Sequence, residues 1–257
     1  MARPRRVTNW PKHRAVLEGR ALAGDTESMA DLGLLLRDGI QDRRGRAIVR
    51  RNLKKSFFLL CRAADRGHDV AACALGYAYD CGLGTVRNRN LALRWYKRAW
   101  RAGESAAATN IATVYRDERK HRIAFQWWKR SESLDDGDAA VDVGYCYQYG
   151  IGTRRNAPLA KRMYRRAISS ANISAFGREE AMYHLAIAYV DDGRVSSAIP
   201  HLARAATDGD FPEASSLLRQ IRLKGNLRPC RCRREMDKWR PGHAVCDRHA
   251  RSRRKPA

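Results

Sequence analysis

Residues 77–100 read YAYDCGLGTVRNRNLALRWYKRAW, and residues 145–168 read YCYQYGIGTRRNAPLAKRMYRRAI. Aligned without a gap, 13 of the 24 positions are identical, including Tyr96 with Tyr164 and both glycines of the Gly-x-Gly segment. Chance does not produce this agreement at one fixed offset. The chain therefore contains internal repeats, and a repeat architecture has to be considered before any other fold.

Several columns of this line recur along the chain. A Leu-Gly-like pair begins at Leu32, Leu75, Ile111, Val143 and Leu185, and a pair of small residues begins at Ala63, Ala99, Ser131, Ala167 and Ala205. Each unit therefore contains two segments with fixed internal spacing, joined by a loop of variable length. An arginine-rich insert, QDRRGRAIVR, lengthens this loop in the first unit.

Both segments of a unit have the period of a helix. In residues 69–82, small or apolar side chains at Ala72, Leu75, Gly76 and Tyr79 are spaced i, i+3, i+4 and i+7. Because one apolar stripe per helix cannot be buried within a single pair, successive pairs must stack. The sequence predicts an all-α fold, a right-handed α-solenoid of about five stacked antiparallel helix pairs, followed by a short basic tail with little regular structure.

The ends of the repeats can also be located. Glycine follows most second helices, where a positive φ is expected at the cap, namely at Gly67, Gly103, Gly137 and Gly209. Residues 12–23 look like the second helix of a truncated leading unit, and the segment from Phe211 looks like a closing first helix. The predicted domains are a basic N-terminal arm (1–11), the repeat solenoid (12–222) and a basic Cys/His tail (223–257).

These columns resemble the Sel1-like repeat, a relative of the tetratricopeptide repeat. Its units read A-x-x-L-G-x-x-Y-x-x-G-x-G, a polar loop, and then K-A-x-x-W-Y-x-x-A-A-x-x-G, and residues 72–103 follow this line closely. The resemblance covers roughly residues 24–222, although units three and five have a shorter loop that lacks Gly-x-Gly. It implies a non-catalytic scaffold or adaptor for protein–protein interaction.

A solenoid of helix pairs has a concave surface lined by its first helices. We call the second position of the Leu-Gly-like pair the Gly column. Three columns of the first helix are expected to face the concave surface: those three positions before, one position after and four positions after the Gly column. Tyrosine, charged and amide side chains on a preformed groove suit recognition of a protein partner. The candidate partner-binding residues are Arg37, Tyr77, Asp80, Thr113, Arg116, Tyr145, Gln148 and Tyr183. The alternative is that Tyr77 and Tyr145 only pack between repeats.

Aromatic and sulfur-containing side chains have simpler explanations. Basic residues flank Trp95, Trp127 and Trp128, as on surfaces that stack nucleic-acid bases. The same columns hold leucine or methionine in other units, which favours a place in the core. The scattered cysteines of the repeats are expected to be small buried hydrophobic residues: Cys61, Cys73, Cys81 and Cys146.

An enzyme needs a nucleophile, a base and an orienting group, or clustered carboxylates, that one pocket can assemble. The sequence shows no such combination and no phosphate loop between a strand and a helix. We therefore expect no catalytic residues, no enzymatic activity and no small-molecule substrate.

The charge of the chain is strongly positive. Lys and Arg number 51 against 27 Asp and Glu, a formal net charge of +24, so the chain will associate with polyanions. No stretch approaches the ~18 to 20 apolar residues that span a bilayer, and the basic N-terminus lacks the apolar core of a signal peptide. We expect a cytoplasmic protein with no membrane contact and with reduced or metal-bound cysteines.

The tail carries Cys230-x-Cys232 and, after a loop, Cys246-x2-His249. Two close pairs of soft ligands separated by a loop match a tetrahedral Cys3His zinc site, although His243 could replace His249. The alternative is a basic tail with incidental cysteines. Basic residues of the tail would add phosphate contacts, so nucleic acid is the alternative partner. They are Arg233, Arg234, Arg253, Arg254 and Lys255.

Overall fold

A computed structural model describes residues 9–42, 44–207 and 211–224. The described residues form twelve helices, and the only strands among them lie in the loop of the first repeat that carries the insert. In chain order the elements are α1 (Trp10–Leu22), α2 (Thr26–Asp38), β1 (Ile40–Gln41), β2 (Ala47–Val49), α3 (Leu53–Asp65), α4 (Asp69–Cys81), α5 (Arg89–Arg101), α6 (Ala106–Asp117), α7 (His121–Ser133), α8 (Gly137–Tyr149), α9 (Ala157–Ser169), α10 (Ala175–Asp191), α11 (Val195–Thr207) and α12 (Pro212–Lys224).

The predicted fold class is confirmed. Five helix pairs follow one another, α2–α3, α4–α5, α6–α7, α8–α9 and α10–α11, with α1 before them and α12 after them. Internal contacts divide the chain into two compact units, Met1–Asn110 and Ile111–Ala257, which we call the N-terminal half and the C-terminal half. None of the described helices is both long and apolar enough to cross a membrane.

The Gly column lets the two helices of a pair approach closely. A Cβ on Gly76 would lie 2.6 Å from Cδ1 of Tyr96, and a Cβ on Gly144 would lie 2.7 Å from Cε1 of Tyr164. Both tyrosines are almost fully buried. Because an added methyl group cannot occupy the space of a ring, glycine on the first helix and the aromatic residue on the second form one packing unit.

The two glycines of the loop have different tasks. Gly82 and Gly150 end α4 and α8 in the left-handed conformation, with φ near +72° and +73°. Gly84 and Gly152 also have positive φ, and each lies against the first residue of the preceding second helix. An added Cβ would be 2.1 Å from the carbonyl oxygen of Leu53 in the first case and 2.2 Å from that of His121 in the second.

One hydrogen bond ties the helices of every pair together, whatever the loop length. The backbone N–H directly before the second helix donates to the carbonyl of the first-helix residue that lies three positions after the Gly column. The five bonds are Asn52 to Leu36 (2.8 Å), Asn88 to Tyr79 (2.8 Å), Lys120 to Tyr115 (2.8 Å), Asn156 to Tyr147 (2.7 Å) and Arg194 to Tyr189 (2.8 Å). The loop can therefore vary while the start of the second helix stays fixed.

The insert of the first repeat forms a hairpin, which the sequence did not predict. Strands β1 and β2 pair antiparallel, with Ile40 opposite Val49, and Val49 is 2% exposed. Arg51 Nε donates to the carbonyl oxygen of Arg37 at 2.7 Å, next to the end of α2. The two strands are only two and three residues long. In a basic segment, an alternation of apolar and polar residues over so few positions is weak evidence for a strand.

The prediction that Gly137 caps a helix is wrong, although Gly67 and Gly103 have the expected positive φ. Gly137 begins α8, and the positive φ before it belongs to Asp135. The reason for glycine is steric, because a Cβ here would lie 2.6 Å from Cβ of Ile173. The remaining predicted cap, at position 209, lies outside the described residues.

The four described cysteines do not share one environment. Cys73 and Cys146 are buried, as predicted, and Cys61 is half-buried. Cys81 is exposed, so the prediction is wrong there. It is the last residue of α4.

Candidate functional site

The eight residues predicted to line a partner-binding face lie on first helices but differ in exposure. Four are buried, with 3 to 9% of their surface exposed: Arg37, Tyr77, Thr113 and Gln148. The other four keep part of their surface exposed: Asp80, Arg116, Tyr145 and Tyr183. The exposed members are therefore the better candidates for contact with a partner.

In the N-terminal half, the structure brings Arg37 and Tyr77 together. The guanidinium carbon of Arg37 lies 5.9 Å from the centroid of the Tyr77 ring, within range of a cation–π interaction. Tyr77 is 8% exposed. This environment agrees with the alternative interpretation, in which Tyr77 packs between neighbouring helices.

Local ion pairs engage the two charged candidates that are partly exposed, Asp80 and Arg116. Asp80 Oδ1 lies 3.9 Å from Arg87 Nη2 and from Arg89 Nε. Arg116 Nη2 lies 2.8 Å from Asp117 Oδ1. A partner that contacts Asp80 or Arg116 would therefore have to compete with these neighbours.

In the C-terminal half, aromatic rings join α8 to α10. The His184 ring centroid lies 5.3 Å from that of Tyr145, 5.4 Å from that of Tyr183 and 5.7 Å from that of Tyr164. Tyr149, which is 40% exposed, lies 4.5 Å from Tyr145. We call these five residues the aromatic cluster. It contains two of the predicted residues, Tyr145 and Tyr183, in one place.

The repeat columns explain how the cluster is held. Gly144 leaves room on α8 for the Tyr164 ring, and the Tyr164 hydroxyl donates to Gln148 Oε1 at 2.7 Å, one helical turn further along. Burial raises the pKa of the Tyr164 phenol well above its usual range, and nearby groups, Glu180 among them, raise it further. Tyr164 is therefore the neutral, fully buried member of the cluster.

His184 is the polar centre of the cluster. Its Nδ1 atom is buried and makes no hydrogen bond, while part of the residue remains exposed. Burial lowers the pKa of His184 from 6.5 to about 4, because an imidazolium would lose hydration among the rings. At neutral pH the ring is uncharged and offers an acceptor nitrogen.

Two carboxyl groups lie on α10 on either side of His184. Glu180, one turn before it, is half-buried, and its charge reaches the Tyr164 phenol. Burial raises the pKa of Asp191, the positive charge of Arg155 opposes this shift, and the charge of Asp192 adds to it.

The sequence-based reasoning missed His184, Tyr149 and Glu180. It considered only three columns of the first helix, and none of these residues lies in them. His184 lies directly before the Leu column, where the other units have Asp31, Ala74, Asn110 and Asp142. The available signal was the change of residue type in an otherwise polar or small column.

The tryptophans behave differently from one another. Trp128 is 3% exposed, which confirms a place in the core. Trp95 and Trp127 remain partly exposed, and arginine guanidinium carbons lie 5.0 Å and 4.5 Å from their ring centroids, from Arg98 and Arg130 respectively. Trp127 still packs against a buried core cluster and Trp95 is half-buried, so both are less deeply buried than Trp128.

The predicted ligands and phosphate contacts of the tail lie outside the described residues, so zinc binding and nucleic-acid contact stay predictions. They are Cys230, Cys232, Cys246 and His249 for zinc, and Arg233, Arg234, Arg253, Arg254 and Lys255 for phosphate. Within the described part of the chain, no three His, Cys, Asp or Glu side chains are grouped so that they could hold a metal ion.

Comparison with known proteins adds a family match. A family model described as Sel1 repeat matches residues 26–68, 69–104, 112–136 and 137–172, which together make up more than half of the chain. The matched ranges include the first four helix pairs in whole or in part. The fifth pair, α10–α11, lies outside them, although it keeps the same interhelix hydrogen bond.

Two solved structures have the same fold. One is a protective antigen, c5321, of uropathogenic Escherichia coli, which displays an SLR fold: TM-score 0.67, 20% identity, 82% of this chain and 44% of that chain covered. The other is a Sel1 repeat protein from Oxalobacter formigenes: TM-score 0.62, 22% identity, 76% of each chain covered.

A curated relative is similar in sequence over a shorter segment. It is the ERAD-associated E3 ubiquitin-protein ligase component HRD3 of Candida glabrata, 24% identical over 117 residues. The match covers 42% of this chain and 14% of that protein. The segment thus corresponds to a small part of a much longer relative.

Proposed function

Because the chain belongs to the Sel1 repeat family, a non-catalytic scaffold fold whose members generally mediate protein–protein interaction, we propose that it is a non-enzymatic adaptor. It binds a protein partner on the face formed by α8 and α10. The observation that carries this proposal is the aromatic cluster, in which Tyr149 is 40% exposed and Tyr145 and Tyr183 are partly exposed. Clustered tyrosines are typical anchors of protein interfaces.

The similarity to a named ligase component supports an assembly role. The geometry supports it further, because Tyr164, the buried member of the cluster, is fixed by its hydrogen bond to Gln148. A preformed surface loses little conformational entropy when a partner binds. We expect an extended peptide segment to fit this surface better than a globular partner would, because the exposed rings lie along two neighbouring helices.

Selection of peptides from a displayed random library on the purified chain tests this proposal. Peptides that bind the cluster should bind Tyr145→Ser and Tyr183→Ser at least about tenfold more weakly, which corresponds to about 1.4 kcal/mol. The matched control is Ile123→Ser on α7, an exposed apolar residue of the same half. Equal binding to all three variants, with unchanged circular dichroism, would place the interaction elsewhere.

The net charge of +24 favours a second partner class, nucleic acid, bound through the basic tail. Binding of a labelled single-stranded oligonucleotide should fall at least about tenfold between 50 and 200 mM salt, because bound counterions are released. Replacing Arg253, Arg254 and Lys255 with alanine should reduce this salt dependence. Retained affinity at high salt in both proteins would exclude this role for the tail.

The predicted zinc site is tested separately, on protein purified without a metal-binding tag. One zinc per chain, lost when Cys230 and Cys232 are replaced by serine, would establish the site. The same zinc content in both proteins would exclude these two cysteines as ligands.

A further inference from the structure

First and second helices of the N-terminal half carry opposite net charge. The first helices, α2 and α4, contain five Asp or Glu residues and a single basic residue, Arg37. The second helices, α3 and α5, contain eight Lys or Arg residues and a single carboxylate, Asp65. Among these four helices, the positive charge is therefore concentrated on α3 and α5.

Three arginines form a line along α5. Arg94, Arg98 and Arg101 are spaced i, i+4 and i+7, which places them on one side of the helix, and all three are exposed. Neither Arg94 nor Arg101 forms a hydrogen bond or an ion pair with another described residue. An anion can therefore bind these two guanidinium groups without first displacing a carboxylate.

Helix α3 places an exposed aromatic ring beside this line. Phe58, at the repeat position of Arg94, is 58% exposed, and the guanidinium carbon of Arg62 lies 5.7 Å from its ring centroid. Arg98 Nη2 donates to the carbonyl oxygen of Asp65 at 3.4 Å, so this side chain reaches from α5 to the end of α3. We call the combined surface the second-helix face, and it consists of Lys54, Phe58, Arg62, Arg94, Arg98 and Arg101.

The combination of arginines with an exposed ring matches single-stranded nucleic acid. A planar guanidinium binds phosphate oxygens through two parallel hydrogen bonds. An exposed aromatic ring stacks on an unpaired base. A duplex keeps its bases inside the helix, and an acidic polypeptide has no bases, so neither would stack on Phe58.

We propose that the second-helix face binds single-stranded nucleic acid, with phosphates on Arg94, Arg98 and Arg101 and a base stacked on Phe58. This inference goes beyond the adaptor function, because it gives the folded repeats a nucleic-acid contact of their own. It depends neither on the aromatic cluster, which lies in the other half, nor on the basic tail.

The probe is a fluorescein-labelled oligothymidylate of about 15 nucleotides, close to the largest site of a single binding module. Its fluorescence anisotropy reports binding to the full-length chain in which Arg253, Arg254 and Lys255 are replaced by alanine, so that the tail contributes less. Replacing Arg94 and Arg101 together with glutamine should weaken binding at least about tenfold at about 50 mM salt. The slope of log affinity against log salt should fall by about 1.4, because each single-strand phosphate contact contributes about 0.7.

The matched control replaces Arg44 and Arg50 with glutamine. Both residues are exposed, lie in the loop of the first repeat and carry the same total charge as the tested pair. This control should keep the affinity within about twofold and the slope unchanged. An equal loss in the two double variants would overturn the proposal, because net charge alone would then explain the binding.

The ring is tested by Phe58→Ser, which should weaken binding at least about fivefold and leave the salt slope unchanged, since stacking releases no counterions. Circular dichroism should stay the same in all variants, because every replaced side chain is exposed. Unchanged affinity in Phe58→Ser would overturn the proposal, as would equal displacement of the probe by polyglutamate of the same charge. Binding that disappears with the tail replacement alone would assign the contact to the tail and overturn the second-helix site.

Discussion

The helix pairs α4–α5 and α8–α9 share thirteen positions between residues 77–100 and 145–168, yet they present different surfaces. Shared residues make the same contacts in both. Tyr79 packs edge to face on Phe57 at 5.3 Å, and Tyr147 packs on Phe125 in the same way at 5.4 Å. The shared positions therefore fix the backbone and the approach of the helices.

The positions that differ determine the exposed chemistry. Asp80 in the first pair lies near Arg87 and Arg89, whereas its counterpart Gln148 accepts a hydrogen bond from a buried tyrosine. Exposed Cys81 is replaced by Tyr149, a member of the aromatic cluster. A repeat motif thus predicts a scaffold, while the residues between its columns decide what the scaffold can bind.

The second loop glycine should give the largest effect on stability. Gly84→Ala and Gly152→Ala each place a Cβ within 2.2 Å of a backbone carbonyl oxygen at a positive φ. The backbone has to move to make room for the Cβ, and the positive φ adds conformational strain. We therefore expect each change to reduce the free energy of unfolding by about 2 to 4 kcal/mol. Urea unfolding followed by circular dichroism measures this loss.

The first loop glycine is the control. Gly82 and Gly150 have a similar φ, but a Cβ there would meet its nearest atoms at 3.4 to 3.5 Å, an ordinary contact. Alanine at these positions should cost about 1 kcal/mol, from the left-handed backbone alone. If all four variants lose the same stability, the close approach to the preceding helix has no energetic role.

The Gly column and the buried tyrosines of the second helices provide the next effect. Gly76→Ala and Gly144→Ala should each cost about 1 to 3 kcal/mol, because the added methyl group overlaps Tyr96 or Tyr164. A smaller partner should relieve the overlap, so Tyr164→Leu should cost less in the Gly144→Ala background than in the wild type. The double-mutant cycle measures this coupling. Simple additivity of the two changes would contradict a direct contact.

The fold was predictable from the sequence because its determinants repeat. The spacing of Leu75, Gly76 and Tyr79 recurs in several units, so each unit confirms the others. The hairpin formed by Ile40–Gln41 and Ala47–Val49 occurs once, and its strands contain too few residues for an alternating pattern. Gly137 lies where the repeat places a glycine cap after the second helix. Glycine is required there because of the close contact with Ile173, which no local pattern reveals.

The candidate site was predictable only in part. Tyr145 and Tyr183 were predicted because both lie in columns that the repeat spacing places on the concave face. His184 depends on contacts between α8 and α10, more than 30 residues apart in sequence. Its neutral state depends on burial among three rings. Long-range packing of this kind leaves no trace in the spacing of a single chain.

Acid should reveal the chemistry that distinguishes the α8–α10 face. The pKa of His184 is lowered from 6.5 to about 4 in the folded protein, so the unfolded chain binds more protons between these values. Stability due to this group is constant above pH 6.5 and falls as the pH drops toward 4. The difference in unfolding free energy between pH 7 and pH 5 should shrink by about 1 to 2 kcal/mol in His184→Gln.

A matched histidine is available for this measurement. Burial also lowers the pKa of His201, helped by Arg204 and Arg165, but this residue lies on a second helix outside the cluster. His201→Gln should change the same difference by less. An effect of His201→Gln as large as that of His184→Gln would show that the enclosure by tyrosines is not what suppresses protonation.

Helix caps give the smallest effect and separate the repeats with long loops from those with short turns. Asn88 and Asn156 each accept a hydrogen bond at 3.0 Å from a backbone N–H in the first turn of the helix that follows, whereas Lys120 before α7 makes no such side-chain bond. Asn88→Ala and Asn156→Ala should each cost about 1 kcal/mol in thermal unfolding. Lys120→Ala should cost far less, because the backbone bond to Tyr115 that positions α7 does not involve its side chain. A loss at Lys120 equal to that at the asparagines would mean that the side chain before the second helix acts through something other than capping.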